Sequence, residues 1–245
     1  MIVLVACEES QRVCCAFRKK GHIAFSCDIL DCSGGHPEWH IKCDVLNILN
    51  PTAHSTIFES FAEPEYYIGF VTCDGVYHRI FKWDLIIAHP PCVYLTLSGN
   101  RWFNFLKNDP IKVIEREKKR EKAIEFFKKI TDADCEKIAV ENPIGIMSTV
   151  FRKPDQIIQP WEFALSDEEK TVKSTCLWLK GLPKLKPRFI EKPSVEYFEW
   201  IDSSGKKKRQ SLWYYSTRCL PYPERSLVAS KTFFGIASAM AEQWG

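Results

Sequence analysis

The segment Trp83-Asp84-Leu85-Ile86-Ile87-Ala88-His89-Pro90-Pro91-Cys92 decides the fold. Its apolar residues 85–88 are followed at once by a proline-rich break. Such a run is typical of a strand that is buried on both faces of a parallel sheet. In these sheets, ligands and reacting groups gather at the carboxyl ends of the strands. The segment therefore predicts a strand that carries the Cys92 thiol at its carboxyl end.

A second segment, Lys137-Ile138-Ala139-Val140-Glu141-Asn142-Pro143, repeats this pattern. It predicts another buried strand, with the Glu141 carboxylate at the same edge of the sheet. A thiolate is a strong nucleophile, and a carboxyl group can supply a hydrogen bond or a proton. The pair therefore suits covalent attack on an electron-poor ring.

The rest of the chain alternates strand and helix patterns, which favours one α/β domain. Strands are predicted at 2–6, 23–27, 41–44, 156–159 and 175–179, and helices at 10–20, 56–61, 111–130 and 236–244. A hairpin is predicted around Asp74-Gly75, and a mobile flap at 93–108. The helix at 111–130 is expected to place a charged face in solvent and to turn four apolar residues inward: Ile114, Ile124, Phe127 and Ile130.

Composition limits the class of protein. The eleven cysteines are scattered through apolar segments, which favours reduced thiols in the cytoplasm over a disulfide scaffold. No apolar stretch approaches the roughly 18 residues of a membrane span. The net charge is only +3, yet residues 184–231 carry +6. This asymmetry indicates a polyanionic partner at that end, with a solvated basic loop as the alternative.

The beginning of the chain resembles a nucleotide-binding unit without its glycines. Asp28 follows Ala6 by 22 positions, close to the spacing at which Rossmann-like folds bind a ribose. The intervening loop reads Cys7-Glu8-Glu9-Ser10, and Ser10 is a candidate N-cap of the following helix. The N–H groups of that helix are expected to be open to a ligand carboxylate. Asp28 and Asp44 can also be ordinary turn residues.

With its Pro-Pro-Cys and Glu-Asn-Pro loops, its Cys-Glu-Glu-Ser loop and residues 34–40, the chain resembles the cytosine-C5 DNA methyltransferases of the small bacteriophage-encoded type. The resemblance spans the chain and is closest at 83–96 and 138–147. It implies a Rossmann-like S-adenosylmethionine-dependent methyltransferase fold, with a mostly parallel seven-stranded sheet. It also implies a catalytic core at 1–183, a short basic target-recognition segment at 184–216, and a C-terminal segment at 217–245 whose helix packs back on the core.

The resemblance implies transfer of a methyl group from S-adenosylmethionine to C5 of a cytosine that is flipped out of double-stranded DNA. Cys92 would attack C6 and Glu141 would contact N3. The family's Gln-x-Arg-x-Arg pattern is missing, Lys170 and Lys173 are the nearest basic residues, and Lys173 is expected as the third catalytic residue. Cofactor contacts are expected from Cys7, Glu8, Glu9, Ser10, Asp28, Ile29, Asp44, His89 and Pro90. DNA contacts are expected from Arg101, Arg152, Lys206, Lys207, Lys208 and Arg209, the last four reaching phosphates from a flexible loop.

Other interpretations stay open. The chain could be a non-catalytic DNA-binding or decoy protein that keeps the fold, or a methyltransferase that acts on RNA or on a free pyrimidine nucleotide. Cys92 stands where amino-methyltransferases carry an aromatic residue, which favours carbon over nitrogen as the acceptor. Zinc is the less favoured reading of Cys27, Cys32, His36, His40 and Cys43, whose spacing also suits ordinary loops. We expect no metal, no membrane contact and, for a phage-encoded protein, a location in the bacterial cytoplasm.

Overall fold

The structure is a computed structural model that describes residues 1–54 and 65–245. Its strands are β1 (Ile2–Ala6), β2 (Ile23–Asp28), β3 (His40–Lys42), β4 (Thr52–His54), β5 (Glu65–Val71), β6 (Tyr77–Ile80), β7 (Leu85–Ala88), β8 (Ile138–Pro143), β9 (Gln156–Ile158), β10 (Thr175–Lys180), β11 (Tyr197–Ile201) and β12 (Lys207–Ser211). Its α-helices are α1 (Arg12–Lys19), α2 (Leu97–Leu106), α3 (Pro110–Thr131), α4 (Met147–Val150), α5 (Leu212–Cys219), α6 (Glu224–Ser230) and α7 (Phe234–Trp244).

The central sheet has seven strands in the order β3-β2-β1-β7-β8-β10-β9. The first five are parallel, whereas β10 runs antiparallel to both β8 and β9. The predicted α/β fold with a mostly parallel seven-stranded sheet is therefore confirmed. The order reverses between β1 and β7, and ligands of doubly wound sheets bind in the crevice at such a point.

The two central strands are buried on both faces, as their apolar runs predicted. Side chains alternate between the faces because a strand has a two-residue repeat. One face of β1 and β7 packs with α3 and the β5–β6 hairpin, and the other packs with α1 and α7. The first face includes Leu4, Ala6, Ile86 and Ala88; the second includes Val3, Val5, Leu85 and Ile87. The C-terminal helix α7 thus packs against α1 and this face of the sheet.

Helix α3 departs from its prediction at the first turns. Phe127 and Ile130 are buried as expected, but Ile114 is 51 % exposed. Ile114 lies in the part of the helix that packs against α2 rather than against the sheet. The prediction of a wholly solvated charged face is also wrong. Arg116 donates to the carbonyl of Gly99, and Arg120 donates to the carbonyl of Tyr94, so two arginines hold the predicted flap.

The smaller elements are partly as predicted. The hairpin around Asp74-Gly75 is confirmed, and it joins β5 to β6 in a three-stranded sheet with β4. The predicted helix at 56–61 lies outside the described residues. The prediction that the basic residues 206–209 lie on a flexible loop is wrong, because residues 207–211 form β12 and pair with β11. Within 1–54 and 65–245, every helix is too short or too polar to span a bilayer.

Candidate functional site

The strand register brings the predicted reacting residues to one edge of the sheet. Ala88 of β7 lies opposite Val140 of β8, so His89, just after β7, is a neighbour of Glu141 within β8. On the other side of β7, Ala88 lies opposite Ala6 of β1. The prediction that the Pro-Pro-Cys and Glu-Asn-Pro segments share an edge is therefore confirmed. The predicted loop at Glu141-Asn142-Pro143 is wrong, because these residues form the end of β8 and pair with β10.

The two segments are tied to each other. The Asn142 side chain donates a 2.9 Å hydrogen bond to the carbonyl of Pro90. The Ile146 N–H donates to the carbonyl of Leu95 at 2.8 Å. A Cβ atom on Gly145 would lie 2.0 Å from the Leu95 carbonyl oxygen, so this close approach requires glycine. The segments consequently hold Cys92 and Glu141 as one unit.

A buried ion pair joins these segments near the strand ends. The Nδ1 atom of His89 lies 3.1 Å from Oε2 of Glu141, and their side chains are only 11 % and 13 % exposed. Burial disfavours the charged imidazolium, but Glu141 and Glu8 outweigh it and raise the pKa of His89. Burial raises the pKa of Glu141, but His89 and Lys173 outweigh it and lower that pKa. The Nδ1–Oε2 contact is an ion pair without hydrogen-bond geometry, and Nε2 of His89 likewise has no hydrogen-bond partner among the described residues.

Cys92 lies beside a buried cation. Burial raises the pKa of the Cys92 thiol, although the Lys173 ammonium opposes that effect. Burial lowers the pKa of Lys173, while Glu141 and Cys92 hold its charge. The Lys173 ammonium donates to the carbonyl of Ala229 at 2.8 Å. Lys173 is therefore close enough to act electrostatically on both predicted reacting groups.

A cavity of about 880 Å³ opens at the point where the strand order reverses. Of the predicted residues, its wall includes Cys7, Glu8, Glu9, Ser10, Asp28, Ile29, Asp44, His89 and Cys92. Three other predicted residues, Pro90, Glu141 and Lys173, are outside this lining. Pro90 is instead buried behind the loop, where its carbonyl accepts the bond from Asn142. His89, rather than its partner Glu141, is the member of the ion pair that lines the cavity.

The sequence did not indicate two further walls of the cavity. One is a face of α3 that contributes Lys119, Lys122, Ala123 and Phe126. The other is the segment 226–232, which comprises most of α6 and the two residues after it and closes the opposite side. The charged residues of α3 predicted a solvated face, and hydrophobic periodicity does not show which part of the fold lies opposite a helix face. Nothing local to 226–232 indicated the second.

The N-terminus of α1 is already occupied by a side chain. The Glu8 carboxylate accepts hydrogen bonds from the N–H groups of Val13 at 2.6 Å and Cys14 at 3.1 Å. The expectation that these groups are open to a ligand carboxylate is therefore wrong. Ser10 is not the N-cap either, because Gln11 holds that position. Glu8 is 4 % exposed, and burial raises its pKa to about 7 despite these hydrogen bonds.

Two residues of this loop adopt the left-handed conformation that usually requires glycine. They are Cys7, with φ of 59°, and Gln11, with φ of 56°. Each costs roughly 1–2 kcal/mol in a residue that has a Cβ atom. The Gln11 side chain offsets part of this cost, because it donates to the carbonyl of His36 at 2.8 Å and accepts from the His36 N–H at 3.0 Å. The loop thus keeps a glycine-type path without glycine.

The two aspartates at the cavity fit both of their predicted interpretations. Asp28 accepts a 3.0 Å bond from the N–H of Leu30, and Asp44 accepts one of 3.0 Å from the N–H of Leu46. Both are therefore turn residues. Both also line the cavity, so carboxylate oxygens are presented to any ligand there. Burial raises the pKa of Asp28.

The predicted DNA-contacting residues are not all at the cavity. Arg152 pairs with Asp155 at 2.6 Å and donates to the carbonyl of Leu179, near the amino-terminal end of β8. The structure thus places Arg152 at the edge opposite Cys92. In the β11–β12 hairpin, Lys207 pairs with Glu199 at 2.6 Å and Lys208 with Asp202 at 3.7 Å, while Arg209 lies over the Tyr197 ring. Arg101 lies on α2, on the exposed surface.

The zinc reading has no geometric support in the described part of the chain. Both ring nitrogens of His40 are engaged, with Ser26 Oγ at 2.8 Å and the carbonyl of Leu30 at 2.9 Å. Cys27 and Cys43 lie 3.8 Å apart, sulfur to sulfur. Within residues 1–54 and 65–245, no group of three or more potential ligands is placed to hold a metal ion.

Comparison of this chain with protein-family models and with curated proteins finds no match. Inference about its function therefore depends on the fold and on the contacts described above.

Proposed function

We propose that the protein transfers a methyl group from S-adenosylmethionine to C5 of cytosine in DNA, through a covalent bond to Cys92. The observation that carries the proposal is the shared edge of the two tied segments. It places a thiol in the wall of a cavity, at the reversal point of the sheet, with the carboxylate of Glu141 next to it. On this proposal, the sheet is that of a small methyltransferase of the cytosine-C5 type.

The cavity suits a cationic nucleoside cofactor. Its position at the reversal point is the usual place for nucleotides in doubly wound sheets. Asp28 is placed to accept from ribose hydroxyls, and Asp44 from an adenine amino group. S-adenosylmethionine supplies an electrophilic methyl group and carries a positive sulfonium, and the acidic wall formed by Glu8 and Glu9 favours such a charge.

The residues at the edge account for the chemistry at the cytosine ring. As the sulfur of Cys92 bonds to C6, the thiol proton is transferred to N3 and C5 becomes electron-rich. Lys173 assists because its positive charge favours the thiolate. Glu141 stabilises the adduct by a hydrogen bond at N3. After C5 is methylated, loss of the C5 proton re-forms the C5–C6 double bond and expels Cys92.

The rim of the cavity offers contacts to a polyanion. Lys119 and Lys122 are exposed on α3, and neither forms an ion pair with any residue in 1–54 or 65–245. On the neighbouring α2, Trp102 and Phe105 are 49 % and 71 % exposed, with their rings 5.7 Å apart. Exposed rings next to cations suit a nucleic acid from which a base has been unstacked.

Trapping with 5-fluorocytosine tests the proposal. A fluorinated base cannot lose its C5 substituent as a proton, so the Cys92 adduct should persist on long duplex DNA of mixed sequence in the presence of cofactor. Cys92→Ser should abolish trapping, whereas Cys219→Ser, at an exposed thiol, should preserve it. Failure of the wild type to form an adduct, or to yield 5-methylcytosine on ordinary DNA, would contradict the proposal.

One observation favours a smaller substrate over duplex DNA. Lys207 and Lys208 of the short hairpin are paired with acidic residues, which leaves fewer cations for a duplex than the sequence suggested. The same incubations should therefore include RNA and deoxycytidine monophosphate, with nucleoside mass spectrometry as the readout. Methylation confined to the nucleotide would replace DNA by a free pyrimidine as the acceptor while keeping Cys92 as the nucleophile.

A further inference from the structure

His89 occupies a position that the proposed chemistry has not yet used. Its backbone N–H donates to the carbonyl of Ala6 at 2.9 Å, and Pro90 and Pro91 follow it, so its place at the end of β7 is fixed. The residue lines the cavity three positions before Cys92. It therefore lies on the same stiff segment as the proposed nucleophile.

The contact with Glu141 distinguishes the two ring nitrogens of His89. In the ion pair the imidazolium carries a proton on each nitrogen; when the ring gives one up, the carboxylate beside Nδ1 favours the remaining proton there. Glu141 lies 3.1 Å from Nδ1, which leaves the lone pair on Nε2. Carboxylate–histidine pairs of serine hydrolases use this arrangement to orient a base.

The Nε2 atom is buried and has no hydrogen-bond partner within residues 1–54 and 65–245. Buried polar atoms in folded proteins are almost always paired, and an orphaned one requires an explanation. Three charged side chains face the ring: Glu8 from the loop after β1, Glu141 from β8 and Lys173 from the segment before β10. Two carboxylates and one ammonium leave a net negative charge around the ring, and this charge stabilises the ring when it accepts a proton.

We propose that Nε2 of His89 is the base that removes the C5 proton from the methylated adduct. In this step the C5–H bond breaks and its proton goes to Nε2. The electron pair forms the C5–C6 double bond, and the C6–S bond breaks with its pair leaving on Cys92. Glu141 stabilises the resulting imidazolium through Nδ1. The inference rests on the proposed function, since it assigns one step of that reaction.

The substitution His89→Asn separates this role from earlier steps. Its side-chain amide can still donate to Glu141, but it has no base in place of Nε2. On ordinary cytosine DNA at saturating cofactor, the variant should accumulate the Cys92 adduct, and tritium release from C5-labelled cytosine should fall by about 10²–10⁴-fold. Trapping by 5-fluorocytosine should stay at the wild-type level, because it ends before proton loss. Added imidazole should restore part of the tritium release.

Two results would overturn the assignment. One is wild-type tritium release in His89→Asn. The other is an equal loss of 5-fluorocytosine trapping and turnover, which would make His89 a positioning residue for Glu141. If the variant does not fold, the wild-type protein supplies the test. Its rate of tritium release should rise with pH as one group loses its proton, and its rate of 5-fluorocytosine trapping should not show that dependence. Failure of wild-type trapping would instead contradict the proposed function itself.

Discussion

The buried Glu8 carboxyl group makes a quantitative prediction about stability. Its pKa is about 7 in the folded protein, against 4.5 for an ordinary glutamate. A raised acid pKa stabilises the fold at low pH, and this contribution is lost as pH rises from 4.5 to about 7. The difference of about 2.5 pKa units corresponds to roughly 3 kcal/mol, at 1.36 kcal/mol per unit.

Glu8→Gln removes this titration and keeps an acceptor for the N–H groups of α1. The variant should match the wild type near pH 5 within about 1 kcal/mol and exceed it by about 3 kcal/mol at pH 8. Urea unfolding at half-unit steps of pH measures both free energies of unfolding, and the slopes show whether the denatured states are comparable. Protein without added ligand is required, because a cation bound at the cavity would stabilise the ionised form.

A matched control is Glu125→Gln. A hydrogen bond from Lys129 and the charge of that ammonium lower the pKa of the Glu125 carboxyl, so the group stays ionised between pH 5 and 8. The difference between this variant and the wild type should consequently be flat over that range. A flat difference for Glu8→Gln as well would refute the reasoning, and so would a Glu8→Gln protein less stable than the wild type at pH 8.

Two further perturbations test the contacts around the cavity. Gly145→Ala should lower the free energy of unfolding by about 3 kcal/mol, because the added Cβ atom would collide with the backbone carbonyl of Leu95. Urea titration measures this change, and an unchanged midpoint would mean that the two segments are not held together there. If nucleic acid binds at the rim, replacing Lys119 and Lys122 by glutamine should reduce the slope of log affinity against log salt by up to about 0.9 per lost contact, as measured by fluorescence anisotropy. The paired residues Lys207 and Lys208, replaced in the same way, should change that slope less, and the reverse ranking would place the phosphates on the hairpin.

Local patterns were sufficient to predict the central strands and the edge at which the site lies. The apolar runs before His89 and Glu141 are short and end at prolines, so little else can form there. The shared edge followed from the parallel arrangement alone.

Features that depend on tertiary packing were not predictable. Capping preference pointed to Ser10, but the left-handed turn at Cys7 accompanies a loop path in which Glu8 reaches the N-terminus of α1. The charge period of α3 said nothing about α2, which Arg116 and Arg120 hold in place. These contacts join residues that are far apart in the sequence, and the local pattern around one residue does not identify its partner.

The reversed direction of β10 separates the site from the basic segment that follows it. The chain enters β10 beside Lys173 at the cavity edge and leaves it at Lys180, opposite Ile138 at the far edge. It returns to the cavity only at 226–232. The intervening excursion thus begins and ends at fixed points, with its hairpin between them. The end of the hairpin is tied back to the site, because Ser211 Oγ donates to the carbonyl of Val172 and the Trp213 ring lies 5.8 Å from the Lys173 ammonium. A change of length in the hairpin would therefore be felt at the cation that faces Cys92 and Glu141.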